Sequence, residues 1–273
     1  VQRTIVETCE YYHDFTDLSN YEAAQGVNDL GIGVLLDVNG YTGEGVRQQR
    51  NIILALSPAP VQVNFLAWVC SSGAPFIQYL VSDRIASPPE FEADYSEKLL
   101  VMPHSYFPSD LRNSGGTILR VPPKEIPAER TARGLPAKGA LMSGFNQLWK
   151  IDKRLFSTWL QIANRTESVG AFLWLPLFPD VAQPALQRIA ASHTLDTRIV
   201  WTHMFSQEEH LRVKALASLQ LDTYVYNGHT SGADILWAGV PTLTLPGIKQ
   251  SARVGASLLR GLGLHTHLVA RCV

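Results

Sequence analysis

The stretch Tyr226–Gly239, with the sequence YNGHTSGADILWAG, joins a predicted strand to a predicted helix. The apolar and β-branched residues of 217–225 before it are typical of a buried strand. Apolar residues after it have helical spacing, and Gly239 with Pro241 marks the end of that helix. The polar residues therefore lie at a helix start, where unpaired backbone N–H groups and the helix dipole favour an anion.

Two interpretations of this helix start remain open from the residues alone. Thr230 and Ser231 can cap the helix or bind a phosphate through their hydroxyls. Asp234 lies one turn into the helix, on nearly the same face as Thr230, and its carboxylate suits a pair of ribose hydroxyls. The alternative is an ordinary helix cap with a buried aspartate.

The composition of the chain is typical of a globular protein. With 273 residues, 46% hydrophobic and 17% charged, the sequence predicts a globular protein of one large or two medium domains. A net charge of −1 without a basic run gives no reason to expect a nucleic-acid partner. No apolar run approaches the roughly 20 residues that span a bilayer, so we expect no membrane partner. The three scattered cysteines favour a reducing compartment, and the missing initiator Met indicates a piece of a longer chain.

Strands alternate with helices along the chain, which predicts an α/β fold of doubly wound parallel sheets. We expect a first lobe over 1–108, a Pro- and Gly-rich linker over 109–138 and a second lobe over 139–273. The predicted strands lie at 31–38, 61–68 and 79–83 in the first lobe, and at 140–145, 169–175, 198–202, 217–225 and 241–245 in the second. The continuous apolar run of 31–38 indicates a buried strand.

Polar residues follow three strands of the predicted second sheet. Gln147 and Lys150 come after the first, the segment from Phe205 to His210 after the third, and the loop of His229 after the fourth. If the order of the strands places these ends together, they meet in one crevice, which is the usual ligand site of such sheets. Taken singly, a lysine or a helical histidine is more often a surface residue.

Other motifs are weaker. His265 and His267 alternate without a third ligand, so we interpret them as strand residues and predict no dedicated metal site. The turn of 39–43 after the first predicted strand is rich in glycine, as turns that approach a ligand often are.

Three longer motifs closely resemble the catalytic region of the O-GlcNAc transferases. They are Phe145–Asp152 (FNQLWKID), Glu208–His210 (EEH) and Asn227–Gly239 (NGHTSGADILWAG). Patterns of the first lobe agree with that family too, at 39–42, 58–62 and 95–104. The similarity runs in order over nearly the whole chain.

The resemblance implies a GT-B fold of two Rossmann-like lobes, with the first lobe incomplete at its N-terminus. It implies an inverting transfer of N-acetylglucosamine from UDP-GlcNAc to Ser/Thr hydroxyls of proteins, without a metal or other cofactor. It further implies acceptor proteins as partners, tandem helical repeats upstream in the full-length protein, and a location in the cytoplasm and nucleus.

The same resemblance gives roles to individual residues. Gln147, Lys150, His229, Thr230 and Ser231 would contact the diphosphate, Asp234 the ribose and His210 the uridine, with Phe205 in the same donor site. Lys150 would be catalytic, because a cation and oriented donors stabilise the charge that develops on departing UDP. The general base stays unassigned.

Departures from the family keep two alternatives open. Gly33 replaces a usual His or Asp, and Gln207 replaces a nucleotide-contacting lysine of many animal relatives. The sequence stops at Val273, short of the family's closing helices. Donor binding is therefore better preserved than acceptor activation. The alternatives are a protein O-fucosyltransferase that uses GDP-fucose and a catalytically degenerate sugar-nucleotide-binding or scaffold protein.

Overall fold

The computed structural model describes residues 2–42, 50–114, 121–178, 180–206 and 209–271. Contacts between Cα atoms divide the chain into two compact units. The first consists of Val1–Val81 and Glu92–Leu100, and the second of Ser82–Phe91 and Val101–Val273.

The described part of the chain contains nine strands and eleven α-helices. The strands are β1 (Val34–Asp37), β2 (Val61–Asn64), β3 (Tyr79–Asp83), β4 (Lys98–Met102), β5 (Leu141–Ser143), β6 (Phe172–Pro176), β7 (Ile199–Thr202), β8 (Leu219–Leu221) and β9 (Thr242–Leu243). The helices are α1 (Gln2–Thr8), α2 (Asn20–Asp29), α3 (Asn51–Ala55), α4 (Leu111–Ser114), α5 (Ile126–Thr131), α6 (Lys153–Arg165), α7 (Gln183–Ser192), α8 (His210–Lys214), α9 (Thr230–Trp237), α10 (Val254–Gly261) and α11 (His265–Leu268).

The first sheet has the order β1-β2-β3-β4, and β2 pairs in parallel with both β1 and β3. β1 was expected to be buried, but this is wrong: Val34 is 61% and Leu36 is 47% exposed. The reason is its place at the edge of the sheet. A continuous apolar run identifies a strand of a parallel sheet but does not say whether both of its faces are covered.

The second sheet has the order β7-β6-β5-β8-β9, and all its pairs are parallel. The chain starts at the central strand β5, moves outward through β6 and β7, and then returns to β8 on the other side of β5. This confirms the predicted doubly wound arrangement. The direction of winding reverses between β5 and β8, and the carboxyl ends of these two strands form the crevice where such sheets bind ligands.

Apolar side chains cover both faces of the second sheet. Successive residues of β6 point to opposite faces, so Leu173 and Leu175 join one buried cluster and Trp174 joins the other. Helix α6 covers the first face with Phe156 and Trp159, both almost fully buried. Asp152 caps this helix: its Oδ1 accepts a hydrogen bond of 2.7 Å from the N–H of Leu155.

Several local predictions are wrong or incomplete. His265 and His267 lie in helix α11, not in a strand. The predicted linker contains helix α5, which has Pro127 in its first turn. Arg130 of this helix is buried and donates to the carbonyl oxygen of Leu216. Residue Gly43 of the predicted glycine-rich turn lies outside the described residues, as do Gln207 and Glu208.

Candidate functional site

A cavity of about 620 Å³ lies in the second unit, beside the carboxyl ends of β5 and β8. It is lined by all eight residues that the sequence proposed for donor binding: Gln147, Lys150, Phe205, His210, His229, Thr230, Ser231 and Asp234. The convergence of these strand ends on one crevice is therefore confirmed. The role of each residue in binding a donor stays a prediction.

The loop after β8 is organised around the buried carboxylate of Asp222. Oδ1 accepts hydrogen bonds from the backbone N–H of Thr223 (2.9 Å) and of Gly228 (2.8 Å), and Oδ2 accepts one from Thr244 Oγ1 (2.9 Å). Burial raises the pKa of Asp222, and these hydrogen bonds oppose the rise. The strand was predicted to continue to Val225 but ends at Leu221, so the following backbone is free to wrap around this carboxylate.

Asn146, which follows β5, connects the two strand ends. Its Nδ2 donates to Asp222 Oδ1 at 3.1 Å and to Thr223 Oγ1 at 2.7 Å. Its Oδ1 accepts from Ser231 Oγ at 2.7 Å, in the first turn of α9. Asn227 adds a further tie, because its Oδ1 accepts from the N–H of Gly255 at 3.0 Å. The polar loop is thus held by buried hydrogen bonds before any ligand binds.

Lys150 brings a cation to this loop. Its Nζ donates to the carbonyl oxygen of Asn227 at 3.1 Å and lies 4.2 Å from the centroid of the Tyr226 ring. Burial lowers the pKa of Lys150 to about 8, while the charge of Asp222 acts in the opposite direction. At pH 7 most Lys150 side chains are therefore still protonated. The site is partly desolvated, so a bound anion would favour the protonated form further.

His229 stands at the start of α9 as its N-cap residue, and its side chain makes no capping bond. The ring packs against Tyr226, with centroids 4.9 Å apart, and Nε2 lies 3.3 Å from the carbonyl oxygen of Ser251. Burial, with the nearby charge of Lys150, lowers the pKa of His229 to about 4. The imidazole is neutral at pH 7, so the positive charge at this end of the cavity comes from Lys150 and the helix start.

Asp234 also lines the cavity and is almost fully buried. Its Oδ2 lies 2.6 Å from Lys214 Nζ and 3.5 Å from His210 Nε2. Lys214 and His210 are four residues apart in α8, so both reach the carboxylate from one helix face. Asp234 and His210 were predicted from the sequence and Lys214 was not, although its spacing of four residues from His210 was a usable signal.

The remaining predicted residues line the cavity in different ways. Gln147 Oε1 accepts from Trp149 Nε1 at 2.9 Å. Phe205 contacts Trp174 edge-on, with ring centroids 6.2 Å apart. Thr230, the first residue of α9, is exposed. Asn146 and Asp222 were missed as site residues, although a charged residue directly after a buried strand is the signal that could have identified Asp222.

A larger cavity, of about 940 Å³, also lies in the second unit but contains none of the eight predicted residues. Its lining includes Arg84, Arg253 and Arg260. Arg253 is used structurally, because it donates to the carbonyl oxygens of Ile85 and Gly247. Position at the reversal between β5 and β8, rather than size, identifies the 620 Å³ cavity as the candidate site.

Within the described ranges, no three or more His, Cys, Asp or Glu side chains gather in a way that could hold a metal ion. No helix in the same ranges combines the length and hydrophobicity needed to cross a membrane. In the first unit, the predicted ligand-approaching turn packs on a neighbouring loop: a Cβ on Gly40 would lie 2.4 Å from Trp68 Cβ.

The lowered pKa of Lys150 predicts a cost in stability. Between pH 8 and 10.5 the unfolded chain holds a proton that the folded chain releases, so stability rises with pH through this window. Below it, the partly buried charge destabilises the fold. We therefore expect Lys150→Met to raise the melting temperature at pH 7 by about 2–4 °C, the effect of about 1 kcal/mol after solvent screening. Differential scanning calorimetry at pH 7 and pH 10.5 checks this: the gain should vanish at the higher pH. A variant less stable than the parent at pH 7 would contradict it.

Comparison with known proteins identifies the family of the chain. The model of glycosyl transferase family 41 matches residues 1–118 and 111–272. A probable UDP-N-acetylglucosamine–peptide N-acetylglucosaminyltransferase, SEC of Arabidopsis thaliana, is 36% identical over 96% of this chain and 26% of its own length. The UDP-N-acetylglucosamine–peptide N-acetylglucosaminyltransferase of Caenorhabditis elegans is 28% identical over 94% of this chain and 31% of its own.

Among solved structures, a point mutant of the Thermobaculum terrenum O-GlcNAc transferase superimposes with a TM-score of 0.81 and 27% identity. The match covers 99% of this chain and 48% of that one. The chain thus spans about a quarter to a third of the length of the curated relatives it matches. The parallel sheets and this similarity show an α/β fold of the GT-B type. The chain belongs to glycosyl transferase family 41.

Proposed function

We propose that this chain is the donor-binding catalytic region of an inverting glycosyltransferase that moves N-acetylglucosamine from UDP-GlcNAc to Ser/Thr hydroxyls of proteins. One observation carries the proposal: Lys150, the start of α9 and the buried Asp234 face a single cavity at the reversal of the second sheet. The names of the relatives from Arabidopsis thaliana and Caenorhabditis elegans, which specify this donor and a peptide acceptor, support it.

The arrangement suits a sugar nucleotide chemically. Backbone N–H groups at the start of α9, the hydroxyls of Thr230 and Ser231, and the amide of Gln147 supply donors for a diphosphate. Lys150 supplies the positive charge at the same end of the cavity. As the sugar transfers, negative charge grows on UDP, and these fixed donors stabilise it where it forms. This is the task that a divalent cation performs in other transferases, and the proposal therefore includes no metal or other cofactor.

His210, Phe205 and Asp234 line the same cavity and would bind the uridine. The rings of His210 and Phe205 offer packing surface for the base, and the carboxylate of Asp234 accepts hydrogen bonds from ribose hydroxyls. The wider proposal includes acceptor proteins as partners, upstream helical repeats in the full-length protein, and a location in the cytoplasm and nucleus. Imaging of the tagged full-length protein tests that location.

Titration calorimetry of the chain with UDP, UDP-GlcNAc and GDP tests the donor. We expect UDP to bind at least about tenfold more tightly than GDP, because a pocket shaped for one base leaves polar groups unpaired with another. A preference for GDP would overturn the assignment and favour the fucosyltransferase alternative.

Transfer of radiolabelled N-acetylglucosamine to a Ser-rich peptide by the full-length protein tests the reaction. We expect labelled peptide that depends on the donor and on active protein. UDP-GlcNAc binding without any transfer would instead support the degenerate binding or scaffold protein.

A further inference from the structure

We propose that Lys214 is a positioning residue that makes the site selective for a ribose with free hydroxyls; this inference rests on the proposed function. Lys214 lines the cavity beside Asp234, and its side chain is 13% exposed. Neither the sequence motifs nor the family resemblance singled it out.

The geometry assigns the two carboxylate oxygens of Asp234 to different tasks. Oδ2 receives Lys214 at 2.6 Å, with His210 Nε2 at 3.5 Å from the same atom. Within the described part of the chain, Oδ1 has no hydrogen-bond partner, although Asp234 lines the cavity. Lys214 therefore fixes the plane of the carboxylate through one oxygen and leaves the other for a ligand.

The charge of Lys214 also decides what that oxygen can bind. A nearly buried carboxylate without a partner cation is costly, and Lys214 offsets that cost from inside the cavity. A carboxylate accepts hydrogen bonds and donates none. The remaining oxygen of Asp234 therefore selects for ligand groups that donate hydrogen bonds, such as the 2′- and 3′-hydroxyls of ribose.

The position of Lys214 on α8 stabilises its ion pair with Asp234. Helices α8 and α9 pack side by side, and Lys214 reaches Asp234 from the last residue of α8. His210 reaches the same oxygen one turn earlier, so two side chains of a single helix hold the carboxylate from one side. Rotation of the Asp234 side chain would break both contacts at once.

Titration calorimetry with UDP and with 2′,3′-dideoxyuridine diphosphate tests the proposal, because these ligands share the base and the diphosphate. We expect the parent chain to prefer UDP by about tenfold or more, the scale of a hydrogen bond to a charged group. In Lys214→Met this preference should fall below about threefold, mainly because UDP binds more weakly. Lys214→Arg, which keeps the charge, should restore most of the preference.

The matched control is Arg212→Met. It removes the same charge from the same helix, but Arg212 is 50% exposed and pairs with Glu129 outside the cavity. Its preference for UDP should equal that of the parent chain. A purely structural role for Lys214 would weaken both ligands equally and leave the preference at its parental value, which would overturn the proposal.

A second comparison keeps the test informative if Lys214→Met folds poorly. Adding Lys214→Met to an Asp234→Asn background leaves neither charge of the pair, so the preference should stay at the value of Asp234→Asn alone. A further change in that background would show that Lys214 acts through some other group and would overturn the proposal. If the parent chain binds both nucleotides equally, only the ribose assignment fails; if it binds neither, the proposed function fails as well.

Discussion

Lys150→Ala is expected to lower glycosyl transfer by the full-length protein about 10²–10³-fold, the usual effect of removing one group that stabilises a developing charge. The same change should weaken UDP binding to the chain by about 1.5–3 kcal/mol, the scale of a charge-assisted contact. The loss in rate should exceed the loss in binding, because the charge on UDP is largest as the sugar departs.

The surroundings of Lys150 explain why its effect should be large. Nζ lies near the Tyr226 ring and the Asn227 carbonyl, in a place where burial lowers its pKa to about 8. Electrostatic interactions are stronger there than in water. His229 is neutral at pH 7, since burial lowers its pKa to about 4, and does not replace the lost cation.

Lys153→Ala provides the control for Lys150→Ala. Lys153 is exposed at the start of α6, three residues away, and does not line the cavity. Its removal subtracts the same charge and should change UDP affinity by less than about 0.5 kcal/mol. Steady-state transfer rates and calorimetric dissociation constants separate the two variants. An unchanged dissociation constant in Lys150→Ala would remove Lys150 from the site.

The sequence predicted those features that depend on residues near one another in the chain. Apolar runs that alternate with helical patterns predicted the strands of the second sheet, and the polar residues 227–231 predicted the start of α9. The anion site at that helix start stays a prediction. The prediction of a strand at His265 and His267 was wrong because alternation over three residues also fits a short helix. Packing decides between the strand and the helix. The exposed face of β1 was missed because its edge position is a property of the whole sheet.

The site was predictable in its parts and unpredictable in its connections. That Lys150, His210 and His229 share a cavity depends on β5 lying next to β8, and strand order is a non-local property. The buried Asp222 and its partner Asn146 are 76 residues apart in the chain. The ligand and the residue roles are still predictions from the family resemblance, whereas the pairing of Lys214 with Asp234 comes from the structure.

Gly228→Ala is expected to disrupt the site through the backbone rather than through a lost functional group. A Cβ at this position would lie 2.3 Å from Asn146 Oδ1 and 2.5 Å from Ser231 Oγ, both too close for any real contact. The backbone of Gly228 does not have a positive φ, so the position requires glycine for space and not for its dihedral angle.

The neighbours of Gly228 cannot easily move away. Asn146 is almost fully buried and donates to both Asp222 and Thr223, so the amide is fixed from two sides. The loop itself must therefore shift, and the bond from the Gly228 N–H to Asp222 Oδ1 is lost or lengthened. Overpacking and a weakened hydrogen bond to a buried carboxylate together predict a loss of about 2–4 kcal/mol in the free energy of unfolding.

Gly232→Ala, four residues later, provides the matched control for Gly228→Ala. Its added Cβ would meet only Leu258 Cδ1, at 3.6 Å, which is an ordinary contact. Because Gly232 lies inside helix α9, alanine there should be neutral or stabilise the fold by up to about 1 kcal/mol. Urea unfolding should therefore give effects of opposite sign for the same added methyl group. UDP affinity should fall at least about tenfold only in Gly228→Ala, since the backbone N–H groups at the start of α9 and the hydroxyl of Ser231 move with the loop. Equal stabilities for the two variants would show that the loop is not held by the Asp222 network.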